Sequence, residues 1–110
     1  MNLSLLVHQG TLVVRMYGSF NQIGGKKILR LLKRGKIHTY STLIFDLNHA
    51  SSIDSFGLGI IFLIAHRLRQ TGGRTLVVNP QPQVRESLER ADLPSMVEMH
   101  PTEKRGLVAA

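Results

Sequence analysis

The chain has no cysteine and no tryptophan among its 110 residues, and aromatic residues make up only 5%. The missing cysteine excludes disulfide scaffolds, thiolate zinc sites and cysteine nucleophiles together. The shortage of aromatics weighs against a base-stacking platform for nucleic acid. Long hydrophobic runs are missing too: the longest, Phe56 to Ala65, has ten residues, whereas spanning a bilayer takes about twenty. Met1 to Val7 lacks the basic segment and small-residue cleavage site of a signal peptide, so a cytoplasmic location is expected. Acid is scarce and unevenly placed. Residues 1–45 carry seven bases (Arg15, Lys26, Lys27, Arg30, Lys33, Arg34 and Lys36) and no acid, while the remainder holds seven of each. The net charge of +7 therefore resides in the first half. Such asymmetry suits an acidic protein, an anionic membrane or nucleic acid, and equally a solvated helix face.

What is present reads as one globular unit: 43% hydrophobic and 19% charged residues are compatible with a core. A single domain over 1–100 with a loosely ordered tail over 101–110 is expected. Leu3 to Val7 and Leu12 to Tyr17 flank His8-Gln9-Gly10-Thr11, which predicts a β-hairpin, with Gly18 ending its second strand. Asn21 is placed to cap a helix over Gln22 to Arg34, and Gly35 to stop it. The Gly24-Gly25 pair weakens the start of that helix by about 1 kcal/mol per glycine. Thr42 to Leu47 predicts an inner strand covered on both faces, followed by a short polar connection containing Ser51 and Ser52. A helix over Ser55 to Gln70, a strand over Arg74 to Val78, a helix after Pro80 and Pro82, and an edge strand over Met96 to Met99 complete the order β-β-α-β-α-β-α-β. This alternation calls for an α/β fold with a mostly parallel sheet and right-handed crossovers.

The start of the second helix carries the functional signal. Functional groups of open α/β sheets collect beyond the carboxyl ends of strands, where helix N-termini present free N–H groups. Ser55 stands there, as a cap or as a reactive hydroxyl. A projection at 100° per residue places Leu58, Ile61, Phe62, Ala65 and Leu68 on one face of this helix, expected to be the core face. Phe56, Ile60 and Leu63 fall opposite, with Arg67, as a docking patch or as a second face covered by another element.

Asp54-Ser55-Phe56-Gly57-Leu58-Gly59, between the strand Leu43 to Leu47 and the later Gly72-Gly73, Leu76-Val77-Val78-Asn79-Pro80 and Val84-Arg85, resembles the STAS domain. More narrowly it is similar to single-domain bacterial anti-sigma factor antagonists. The resemblance covers roughly 3–100. It implies a mixed four- to five-stranded sheet packed against helices. It also implies a partner-switching role in transcription regulation, in which Ser55 is phosphorylated, with Asp54 as its flanking acid. The implied partners are an ATP-binding serine kinase that is also the anti-sigma factor, and a phosphatase that restores Ser55. Asn21, Asp54, Ser55, Phe56, Gly57, Ile60 and Leu63 are the expected partner-binding residues, Gly57 because a side chain there would obstruct the kinase. Weak homodimerisation is compatible with this reading, and no direct nucleic-acid contact is expected. The chain departs from the family pattern in two places: Gly18-Ser19-Phe20-Asn21 replaces a Gly-Glu-Leu-Asp-like turn, and Phe56 stands where Ser or Thr is common. The alternative is a non-phosphorylated scaffold or transporter-associated subunit whose basic segment 26–36 meets an acidic protein or anionic lipid.

Other motifs are weaker. Gly24-Gly25-Lys26-Lys27 lacks the first glycine and the hydroxyl residue of a phosphate loop. His8, His38, His49, His66 and His100 never fall three or four residues apart, so no helical metal pair forms, and neither a metal nor a cofactor is expected. An enzyme would have to rest on Ser55 with Asp54 and His49 and no oriented base, so a binding protein without catalytic residues is expected.

Overall fold

The computed structural model describes residues 2–33 and 39–100. Two consecutive left-handed residues, Gln9 (φ 46°) and Gly10 (φ 78°), make a two-residue turn. Such a turn matches the twist of the strands it joins, here β1 (Asn2–His8) and β2 (Thr11–Phe20). They pair antiparallel from His8↔Thr11 to Asn2↔Tyr17. α1 (Gln22–Lys33), β3 (Thr42–Ile53), α2 (Ser55–Gln70), β4 (Arg74–Val78), α3 (Pro82–Arg90), a 3₁₀ turn (Leu93–Ser95) and β5 (Glu98–His100) follow. The predicted order of elements is the observed one, and α2 and β4 have the predicted bounds. The expected helix stop at Gly35 and the tail from Pro101 lie outside the described residues.

The five strands lie in sequential order, β1-β2-β3-β4-β5, with β2 to β5 parallel. Right-handed crossovers that always step in the same direction put every connecting helix on the same side of the sheet. Accordingly Ile28 of α1, Ile60, Ile61, Ile64 and Leu68 of α2, and Val84 and Leu88 of α3 share one core with Val14, Met16, Phe45, Leu47 and Val77 of the sheet. The alternate strand positions Val13, Ile44, Leu76 and Val78 form a smaller, fully buried cluster on the other side. Thr42 to Leu47 is thus buried on both faces, as its continuous apolar run predicts.

Two strands run further than expected. Gly18 does not end β2; with φ 87° it sits at a shift of register, and the strand continues to Phe20. There β3 carries one extra residue, Ser51, between the partners of Gly18 and Ser19, and a bulge of this kind bends a strand without ending its pairing. β3 keeps pairing with it, through Ser19↔Ser52 and Phe20↔Ile53, so the polar segment 48–53 is strand and not a connection. At the opposite edge, Arg74 grips Glu98 of β5 with two guanidinium hydrogen bonds, that from Nε to Oε2 being 2.6 Å. These bonds hold the Glu98 carboxyl below the usual carboxylate range. A lowered value means that the pair's contribution is present above the ordinary glutamate pKa and is lost as pH falls through the lowered one. Both side chains are over a third exposed, so the contribution is under about 1 kcal/mol. Urea titrations of wild type and Glu98→Gln should differ by that small amount at pH 7 and converge in acid.

Candidate functional site

The site is built where β2 and β3 end and α1 and α2 begin. Asn21 caps α1: its Oδ1 accepts from the Ile23 N–H at 3.0 Å, and its carbonyl from Gly25 N–H at 2.8 Å. Asp54 caps α2. Its backbone is extended (φ −102°, ψ −177°), and its Oδ1 accepts from the Gly57 N–H at 2.9 Å. Its own N–H donates to the carbonyl of Phe20 at 3.2 Å, tying the start of α2 to the end of β2. Because the aspartate takes the capping role, the neighbouring serine does not. Ser55 is the first residue of α2, exposed, and its hydroxyl makes no hydrogen bond to the described residues. The arrangement leaves an unengaged hydroxyl at a helix N-terminus, where backbone N–H groups favour an added anion. Two further hydroxyls lie on the same edge, Ser52 Oγ donating to Ser19 Oγ at 3.0 Å. Neither was singled out from sequence, because their proximity depends on the unforeseen continuation of β2 and β3.

Several expected contact residues lie elsewhere. Ile60 is only 4% exposed and belongs to the core. Phe56 and Leu63 are half-buried. α1 lies over Phe56 and Ile60, its Gly25 offering bare backbone: a Cβ there would lie 2.5 Å from Phe56 Cε1 and 3.1 Å from Ile60 Cγ1. Gly25 is therefore a notch for α2. Gly57 is buried too, against its own chain, since a Cβ would meet the Phe20 carbonyl at 2.5 Å and Ile53 Cγ1 at 2.9 Å. Its bareness serves close packing of α2 on the strand ends and not the approach of a partner, which corrects the expectation.

The predicted phase of α2 is likewise shifted. Phe62, placed on the core face from sequence, is 51% exposed, and Leu58 is half-buried. The outward stripe is Ser55, Gly59, Phe62 and His66, at i, i+4, i+7 and i+11. The Phe62 and His66 rings are parallel with centroids 6.4 Å apart. Beyond α1's cap, Ile23 is 62% exposed. Among the described residues, the apolar side chains left exposed on the first two helices are thus Phe62 and Ile23, with Leu58 half-buried. Sequence projection missed this because every position from Phe56 to Ile64 is apolar or glycine.

The structure does not assemble Ser55, Asp54 and His49 as an acid–base set. His49 instead stacks on Tyr17, centroids 5.0 Å apart, and the Asp54 carboxylate is engaged with Gly57. Among the described residues no three His, Cys, Asp or Glu side chains gather as a metal site, and no helix is long and apolar enough to cross a membrane.

A sequential five-stranded sheet backed by three helices, with the second capped by Asp54 and headed by Ser55, defines the class of the fold as α/β. The STAS domain family model matches residues 2–106, and the chain belongs to that family. It is 27% identical over 89 residues to an anti-sigma F factor antagonist of Lysinibacillus sphaericus, covering 80% of this chain and 76% of the relative. The fold is shared with the anti-sigma factor antagonist SpoIIAA in its unphosphorylated form (TM-score 0.84, 24% identity, 96% of this chain and 93% of the other). It is also shared with the phosphorylated form of SpoIIAA from Bacillus (TM-score 0.79, 24% identity, 98% of each chain). A sulfate transporter family protein from Wolinella succinogenes has the same fold (TM-score 0.81, 14% identity, 94% and 87%).

Two sets of substitutions test this geometry. Gly57→Ala forces a side chain against backbone and should cost about 2–3 kcal/mol in urea denaturation. Gly59→Ala, with nothing within 4 Å of the added Cβ, should be neutral or stabilising by up to about 1 kcal/mol. Ile60→Ala should cost about 2–4 kcal/mol, and Phe62→Ala less than about 0.5 kcal/mol. The reverse order would restore the phase projected from sequence.

Proposed function

We propose that this protein is an anti-sigma factor antagonist of the partner-switching kind, a binding protein and not an enzyme. In its unmodified form it binds an ATP-dependent serine kinase that is also the anti-sigma factor. Phosphorylation of Ser55 dissolves the complex, and a phosphatase restores it. The observation that carries this reading is the Ser55 hydroxyl: exposed, free of hydrogen bonds to the described residues, and spared the capping role by Asp54. The relative of Lysinibacillus sphaericus supports the antagonist role, and the existence of SpoIIAA in both states supports a phosphorylation switch on this fold.

The chemistry is phosphoryl transfer from the partner's ATP: Ser55 Oγ bonds to the γ-phosphorus, ADP departs, and the hydroxyl proton passes to a base of the kinase. The added group brings about −1.5 to −2 charge and three acceptor oxygens. Free N–H groups at the start of α2 accommodate it in the isolated protein. In a complex it would be desolvated near half-buried Leu58 and the charge of Asp54, on the helix face that carries exposed Phe62. A penalty of only about 3–4 kcal/mol lowers affinity more than a hundredfold.

Incubation with the kinase and ATP should add one phosphoryl group to wild type, seen by intact mass, and none to Ser55→Ala. Ser55→Ala should bind the kinase as tightly as unmodified wild type, and Ser55→Asp at least about a hundredfold more weakly. Equal binding by the alanine and aspartate variants would refute the switch.

A further inference from the structure

Charge on the first two helices is one-sided. α1 (Gln22–Lys33) and α2 (Ser55–Gln70) together contain Lys26, Lys27, Arg30, Lys33, Arg67 and Arg69, and no acid at all. The acids of the other elements are largely spent on their own neighbours: Asp46 on Arg15, Glu98 on Arg74, Glu89 on Arg85 and Glu86 on Arg90. Among the described residues, Lys26 and Arg30 meet no carboxylate.

The exposed side of α1 is a ridge with a defined order. Ile23, Lys26 and Arg30 follow at i, i+3 and i+7, with Lys27 beside them, and all four are exposed while Ile28 faces the core. Arg67 is exposed on α2, seven residues after Ile60, whose side chain reaches toward Gly25 of α1. It therefore borders the side of α2 that α1 covers. The apolar head of the ridge, Ile23, belongs to the same end of the molecule as Asn21, Asp54 and Ser55, because the Phe56 ring rests on Gly25. The result is a strip that begins apolar beside the candidate phosphorylation site and becomes basic along α1.

We propose that this strip is the second half of the docking surface, and that it receives an acidic surface on the kinase that binds around Ser55. The inference rests on the partner-switching reading and adds what that reading leaves open, the charge of the partner's contacting surface. A protein suits the strip better than the other polyanions. An apolar centre with a charged rim is the anatomy of a protein interface, whereas a phosphate backbone offers nothing to Ile23 or Phe62. The apolar residues share their surface with Asn21, Asp54 and the Ser55 hydroxyl, too polar a set to enter a bilayer. Bases ranged on a rim mainly accelerate encounter with an acidic partner, and salt screens that effect. Phosphorylation then acts at the apolar end, while the basic end sets the speed of recapture after dephosphorylation.

The test measures association and dissociation of the full chain with the kinase at several salt concentrations, for wild type, Lys26→Glu/Arg30→Glu, Lys26→Arg/Arg30→Lys and Ser55→Asp. Circular dichroism verifies that each variant is folded. Retention on duplex DNA and on phosphatidylglycerol vesicles is measured in parallel. The charge-reversed double variant should associate roughly tenfold or more slowly at low salt, with a flattened salt dependence. The charge-conserving pair should match wild type. Unchanged association of the charge-reversed variant, with Ser55→Asp still impaired, overturns the acidic-partner inference and leaves the switch standing. So does a reversal that abolishes retention on DNA or vesicles without slowing the kinase. A wild type that binds no such kinase overturns the function proposal and this inference with it.

Discussion

The carbonyl of Phe20 receives the N–H of Asp54 and lies against the bare backbone of Gly57. That contact fixes the head of α2 on the last residue of β2. It can form only because β2 continues past Gly18 and β3, bulged at Ser51, stays paired with it as far as Ile53. Once the helix is seated there, the Asp54 carboxylate reaches the Gly57 N–H, and the next residue must point outward. The exposure of Ser55 is a consequence of strand length, helix capping and one glycine acting together. A longer side chain at position 57 would lift the first turn and disturb all three.

The same economy of space explains α1. Its two glycines cost helix propensity, yet Gly25 gives Phe56 and Ile60 a place to pack. With these residues absorbed between α1 and α2, the apolar surface left exposed lies round the helix at Phe62 and across at Ile23. The apolar area is modest, a few side chains among polar groups. On the proposed function, a complex formed there would depend on what surrounds that centre, and hence on the charge of Ser55 at one end and of α1 along the rest.

Much of this was legible in the sequence. The order of elements, the bounds of α2 and β4, the Asn21 cap and the position of Ser55 follow from periodicity and capping chemistry, which are local. The rest was not local. The extension of β3 through Asn48 and Ser52 is invisible in a polar stretch, because it exists only through pairing with β2 beyond Gly18. The phase of α2 was obscured by the run Phe56 to Ile64, in which apolar residues occur all round the helix; only contact with α1 and the sheet decides which are covered. Gly57 and Gly25 were recognisable as unusual, but the reason for each, close approach of Phe20 and Phe56, needs three dimensions.

The central claim is that modification of Ser55 changes a surface and leaves the scaffold as it is. Hydrogen exchange on protein carrying phosphoserine at position 55, introduced during translation, tests it without any partner. The account predicts that amides of α2, β2 and β3 keep the protection they have in the unmodified protein, with changes confined to the first turn of α2. Lost protection along α2 or at the ends of β2 and β3 would contradict it, because the switch would then work by loosening the fold.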